Sequence, residues 1–219
     1  MRVFKITSLI LHPIFMPIIT LYLTLKLIPN IGAGIINYFN LIYLIILLCT
    51  IILPLICVFF LIKKKLVSSL EMRDYKERSL PLFITAIWMG YGYYKLSDIL
   101  SLAPILKSEL VAAISIVLIA SFISRYWKIS LHMLGSGGVV GTIFSLNILY
   151  GGLLYEIMLS IFFSAFLGVA RINENAHNHT QVYMGFLVGF LIESVAILFF
   201  QNYINNFNLT LQHSFNAIY

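Results

Sequence analysis

The sequence predicts an all-α, polytopic membrane helix bundle of about seven transmembrane helices, or six if one weak boundary fails, forming a single integral membrane domain over residues 1–219. Three observations carry that prediction. The chain is 61% hydrophobic and only 10% charged, against about 25% charged in soluble domains, so it lacks the polar side chains to clothe a water-facing surface and a bilayer is its solvent. Seven apolar stretches, at 7 to 27, 41 to 62, 80 to 97, 108 to 126, 132 to 150, 153 to 170 and 181 to 202, come near the ~20 residues that a helix needs to cross hydrocarbon. The charged residues gather in the gaps between them. The net charge of +6 is spread over those gaps and builds no basic surface domain, which argues against nucleic acid as a partner and for membrane lipid.

The opening "MRVFKITSLILHPIFMPI" has the basic end and apolar run of a signal peptide but no small-residue cleavage site after it, so it is expected to stay as a first helix, kinked at Pro13 and Pro17. "HPIFMP" reads as the proline kink of that helix and carries no chemistry in this reading. The second stretch carries Cys49 and Cys57, eight residues apart. Along a helix that is about 12 Å, beyond the ~7 Å between Cα atoms that a disulfide allows, so both are expected as core thiols. Lys63, Lys64 and Lys65 then read as a snorkelling anchor. The third stretch starts at Pro81, and the fourth ends against Trp127 and Lys128, which suit an interfacial belt. Gly151 and Gly152 in "YGGLL" mark a tight turn between the fifth and sixth. Glu156 and Glu193 fall inside the sixth and seventh, where a charge is costly.

With the helices taken in order, the amino terminus and the gaps at 63 to 79, 127 to 131 and 171 to 180 share one side. Eleven of the 14 Lys and Arg residues fall there and three, Lys26, Lys95 and Lys107, on the other. That bias marks the first side as cytoplasmic, and a bacterial inner membrane is the expected location. Without Arg73, Lys76, Arg78, Lys128 and Arg171, which are candidates to hold an anion, the ratio is six to three and the side stays open.

All three of these gaps carry chemistry. In "KKKLVSSLEMRDYKERSLP", Arg73, Lys76 and Arg78 alternate with Glu71, Asp74 and Glu77, a pattern that fits ion pairs on a solvated helix face and equally fits Lys76 and Arg78 aimed at a bound anion. In "RYWKISLHMLGSGG", His132 opens a helix beside Ser130, with Gly135, Gly137, Gly138 and Gly141 following at small-residue packing spacing. In "ARINENAHNHTQVYMG", Arg171 ends one helix and His177 and Gln181 stand four apart at the start of the next. A helical start puts the last two on one face, where a side-chain acceptor fixes the histidine's tautomer as a nucleophile or base requires.

These stretches resemble the three motifs of the type 2 phosphatidic acid phosphatases, whose helical core is similar to that of vanadium haloperoxidases. That family's third motif, Ser-Arg, five residues, His, three residues, Asp, corresponds to Ala170-Arg171, five residues, His177, three residues, Gln181. The second, Pro-Ser-Gly-His, corresponds to Ile129-Ser130-Leu131-His132, and the first is reduced to "RDYKERSLP", with Arg78 in the place of the arginine. The resemblance covers residues 73 to 189 as a phosphatase-like core and leaves the first two helices outside it. Its departure is Gln181, whose amide accepts a hydrogen bond but lacks the aspartate's charge.

The resemblance implies a metal-independent lipid phosphatase with no cofactor. His177 would be the nucleophile that forms a phosphohistidine, Gln181 its orienting partner and His132 the acid and base. Arg171, Arg78, Lys76, Ser130 and Arg73 would bind phosphate, with backbone amides near Gly135 to Gly138 adding donors. The substrate would be a phosphorylated lipid, such as phosphatidate, a polyprenyl phosphate or diphosphate. His179 is a second candidate nucleophile with a poorer spacing. Two alternatives stand beside this reading: a proton-coupled transporter using Glu156 or Glu193, and an inactive relative that binds lipid phosphate without turning it over.

Overall fold

The computed structural model describes residues 2–70, 72 and 74–216, with side chains described for 3–70, 72 and 74–201. Arg73, one of the candidate phosphate ligands, lies outside the described residues. The chain is helical, with α1 Arg2–Ile10, α2 Met16–Leu27, α3 Pro29–Lys63, α4 Ser79–Leu100, α5 Pro104–Ile123, α6 Leu131–Tyr150, α7 Leu154–Asn173 and α8 His179–Asn216, and it has no strand among the described residues. By length and composition six helical segments could cross a membrane, the first of them, Val3–Leu27, being the run that α1 and α2 share. The 22-residue α4 is less apolar because Gly90, Gly92, several tyrosines, Lys95 and Asp98 interrupt it, and it packs between α3 and α5. The outer faces present Phe59, Phe60, Phe162, Leu191 and Phe199, the apolar exterior that a bilayer requires.

Local chemistry sets the breaks. Pro54 has no N–H to give to the Thr50 carbonyl, and α3 relaxes into a π turn over Leu48–Ile52 immediately before it. Gly151 and Gly152 take φ of +74° and +78°, which ends α6, and Asn147 Oδ1 accepts from the Leu153 N–H at 2.8 Å to hold the turn.

The first apolar stretch differs from the single kinked helix expected of it. α1 lies along α7, with Phe4 against Phe166 and Ser8 against Arg171 and Glu174, so both helices run toward the same end of the bundle. α2 lies along α6, with Met16 at Gly135 and Leu23 and Leu27 near Ile143 and Leu146, so it runs away from that end. The chain therefore reverses at residues 11–15. Pro13 pushes His12 into extended backbone, φ −68° and ψ 136°, which stops α1, and Pro13 and Pro17 then start the 3-10 turn and α2. This reversal takes Arg2 and Lys5 off the basic end, reducing its tally from eleven to nine. Setting aside the same five anion-holding candidates leaves four there against three at the other end, with Arg2 and Lys5 counted for neither, so the positive charge that remains does not orient the bundle.

The tightest packing joins α6 to α8. A Cβ on Gly137 would strike the Phe186 carbonyl and one on Gly189 the Leu134 carbonyl, so glycine at both is what lets the two backbones touch. That contact brings the first turn of α6 beside the first turn of α8, where the Ser130 N–H donates to the Gln181 carbonyl at 3.4 Å.

Candidate functional site

The end of α7 and the start of α8 form one local unit. Asn175 takes the left-handed conformation, φ +52°, which asparagine tolerates, and the N–H groups of Ala176 and His177 donate to the Arg171 carbonyl. Asn178 then caps α8: its Oδ1 accepts from the Gln181 N–H at 2.9 Å, and Gln181 Oε1 accepts from the Asn178 N–H at 3.3 Å, a reciprocal capping box. The same Oε1 accepts from His177 Nδ1 at 3.0 Å. A glutamine at this position thus caps the helix and holds the ring. Because Oε1 is an acceptor, the imidazole proton sits on Nδ1 and the Nε2 lone pair is free.

His177 is 8% exposed. Burial depresses its pKa from the ordinary 6.5 to about 4; the bond to Gln181 works against this, while Arg171, Arg78 and Lys128 add to it. The ring is neutral at pH 7. Burial followed by the charges of Arg78 and Arg171 also lowers Lys128, and burial followed by the charge of Arg171 lowers Arg78, with Asp74 opposing. Three cations thus act on one small region.

Arg171 closes α7. Its Nη1 donates to Glu174 at 2.5 Å and to Ser8 Oγ at 3.0 Å, while its Nε is buried with no hydrogen-bond partner among the described residues. Arg78 ends the 3-10 turn Tyr75–Arg78 and gives Nε to the Met72 carbonyl at 3.1 Å. His132, in the first turn of α6, has Nε2 3.0 Å from the Ser8 carbonyl. A carbonyl only accepts, so that nitrogen carries the hydrogen and Nδ1 of the neutral ring is bare. The His12 ring meets the His132 ring edge to face with centroids 5.3 Å apart.

His12, Arg78, His132, Arg171 and His177 line one cavity of about 340 Å³ that continues between the helices along an otherwise mostly apolar wall, including Met16, Pro54, Leu82 and Ile116, to Glu193. Among the described residues, the donors at its polar end outnumber the acceptors, since the nearby carboxylate of Glu174 is already paired with Arg171. Among the described residues no three of His, Cys, Asp and Glu converge as ligands of a metal ion do. An anion with several oxygens is the ligand that this donor set fits.

Three sequence expectations are corrected. Lys76 is exposed and does not line the cavity: in a 3-10 turn residues advance about 120° each, so Lys76 and Arg78 face different ways. Ser130 is fully buried where α6 touches α8, with its hydroxyl unpartnered and outside the cavity lining. The amides of Gly135 to Gly138 lie beyond the first turn of α6, where N–H groups are spent within the helix. His179 is exposed at the start of α8. The residues that sequence reasoning missed are Ser8, His12 and Glu174. The signal for His12 was a histidine directly before a proline in an otherwise apolar run, which ends a helix at the level of the other polar gaps.

No family model matches this chain, and neither a curated protein nor a solved structure matches it.

Proposed function

We propose that this integral membrane protein is a phosphatase that hydrolyses a lipid or polyprenyl phosphate monoester or diphosphate, as a divergent relative of the type 2 phosphatidic acid phosphatases. One observation carries the reading: His177, neutral and oriented by Gln181, lines the same cavity as Arg171, whose Nε–H is buried without a partner. A nucleophile and an unanswered guanidinium donor together fit a phosphoryl group. The apolar cavity wall suits the tail of the same molecule.

In this reading Nε2 of His177 attacks phosphorus in line. The bond from phosphorus to the leaving oxygen breaks and its electron pair stays on that oxygen; the proton that a phosphate monoanion carries in passes through Nδ1 of His132, bare in the resting site, to the leaving oxygen while Nε2 keeps its bond to Ser8. Water then attacks the phosphohistidine, His132 takes its proton, and phosphate leaves with His177 restored. Arg171 and Arg78 hold the equatorial oxygens as charge builds. Gln181 orients the ring without an anionic charge, so the imidazolium-like character of the transition state is less stabilised than with a carboxylate.

The test is release of inorganic phosphate from a panel of lipid phosphates by purified protein in EDTA. Turnover by the wild type, its loss in His177→Ala and inhibition by vanadate are the expected results; no hydrolysis of any member of the panel would overturn the reading. A second reading, a proton-coupled carrier, draws on Glu193, which lines the inner part of the same cavity. It requires solute movement in vesicles that Glu193→Gln abolishes.

A further inference from the structure

We propose that His12 is a phosphate-binding residue of this cavity, offering Nε2–H to a phosphoryl oxygen as an uncharged donor; the inference rests on the phosphatase reading. The residue belongs to the hairpin of α1 and α2, outside the stretch that carries the motif resemblance. Its position follows from the sequence: Pro13 forces it to extended backbone at the turn, level with the starts of α6 and α8. There its ring packs against His132 and lines the cavity with Arg171 and His177.

The tautomer is fixed by the backbone. Nδ1 accepts from the Ile14 N–H at 3.3 Å as the cap of the 3-10 turn, so the hydrogen is on Nε2, and no described residue takes it up. Protonating Nδ1 would turn one N–H against another and undo the cap. His12 is therefore suited to donate a hydrogen bond and unsuited to transfer a proton, the reverse of His132, whose Nε2–H is spent on Ser8 and whose Nδ1 is open. The pair divides the work: His132 moves the proton and His12 binds. A neutral donor also adds a contact for phosphate without adding a fourth positive charge to Arg78, Lys128 and Arg171.

Two substitutions separate binding from capping. Asparagine and aspartate each carry a side-chain oxygen able to accept the Ile14 N–H, so His12→Asn and His12→Asp both keep the turn. Asparagine retains a donor, and aspartate presents a carboxylate to the anion. Binding of orthovanadate and of inorganic phosphate to the purified full chain is the readout, with lipid phosphate hydrolysis measured alongside. Affinity within about tenfold of wild type for His12→Asn and at least about 100-fold weaker for His12→Asp is expected, from the strength of hydrogen bonds to charged groups. A wild-type affinity in both variants, with hydrolysis intact, makes His12 a cap only and overturns the proposal while the phosphatase reading stands. A wild-type protein that binds neither anion and hydrolyses no lipid phosphate removes both. In the wild type, addition of vanadate should also shift the His12 Nε2–H resonance; an unmoved resonance at saturating vanadate counts against the contact.

Discussion

At one end of the cavity Arg78, Arg171 and His177 meet with one nearby carboxylate among the described residues, Glu174, already engaged. About 21 Å further along α8, Glu193 accepts from Thr142 Oγ1 at 3.4 Å, and Glu109 on α5 accepts from Thr24 Oγ1 at 2.5 Å. Both regions bury ionisable groups inside a membrane bundle, yet they satisfy them differently. Each inner carboxyl has a hydroxyl from another helix, tying α2 to α5 and α6 to α8, as polar side chains do when they join helices in lipid. The outer cluster keeps a donor, Arg171 Nε, that no described neighbour answers. Groups satisfied within the protein stabilise it, and groups left for a ligand are where chemistry is expected.

The sharpest way to break this comparison is to remove one ionisable group from each region. Arg171→Ala should lower kcat/KM for a lipid phosphate roughly 100- to 1000-fold, by analogy with loss of one oxyanion donor, and should weaken vanadate binding in parallel. Glu193→Gln should change kcat/KM by less than about tenfold, because the amide oxygen still accepts from Thr142. Kinetics on both purified variants check the order. The reverse order, with Glu193 the sensitive position, would move the function inward and favour the carrier.

A smaller effect tests the inner region as structure. Thr24→Val keeps the shape of the side chain and deletes the hydroxyl that Glu109 uses. Leaving that buried carboxyl without its partner should cost about 1–3 kcal/mol of stability, read as a lower unfolding midpoint in detergent. Activity per folded molecule should stay within about twofold of wild type. A variant equally stable but inactive would show that the inner carboxyls take part in turnover.

Legibility in the sequence followed the distance between interacting residues. Helix positions could be read because the length of an apolar run is a one-dimensional property, and Gly151 and Gly152 marked their turn because positive φ is a local need. The His177 and Gln181 contact was visible for the same reason: four residues at a helix start are neighbours. The reversal at His12 was hidden because two prolines serve a kink and a hairpin equally well, and only packing of α1 on α7 and α2 on α6 decides between them. Ser8 and Glu174 stand 166 residues apart in sequence and meet only in the fold. Lys76 and Ser130 were misread because the facing of a 3-10 turn, and the burial of a residue opening a helix, depend on neighbours that no spacing reveals.

The smallest expected effect concerns the proton of His177. Its folded pKa of about 4 lies below the ordinary 6.5, so the unfolded chain binds the proton more readily. The contribution of this group to stability is therefore complete above about pH 6.5 and declines as pH falls from there toward 4. Observed by NMR in ligand-free protein, the His177 ring should titrate near 4. Gln181→Glu keeps the length of the side chain and its two acceptor bonds while adding a negative charge beside Nδ1. That charge favours the imidazolium, so the titration should move upward toward the ordinary value, and turnover should rise if orientation without charge limits the rate. If His177 already titrates near 6.5 in the wild type and the Gln181→Glu substitution leaves it there, the ring is in contact with water, and the contrast between a dry, donor-rich outer cluster and a satisfied inner one fails at its central residue.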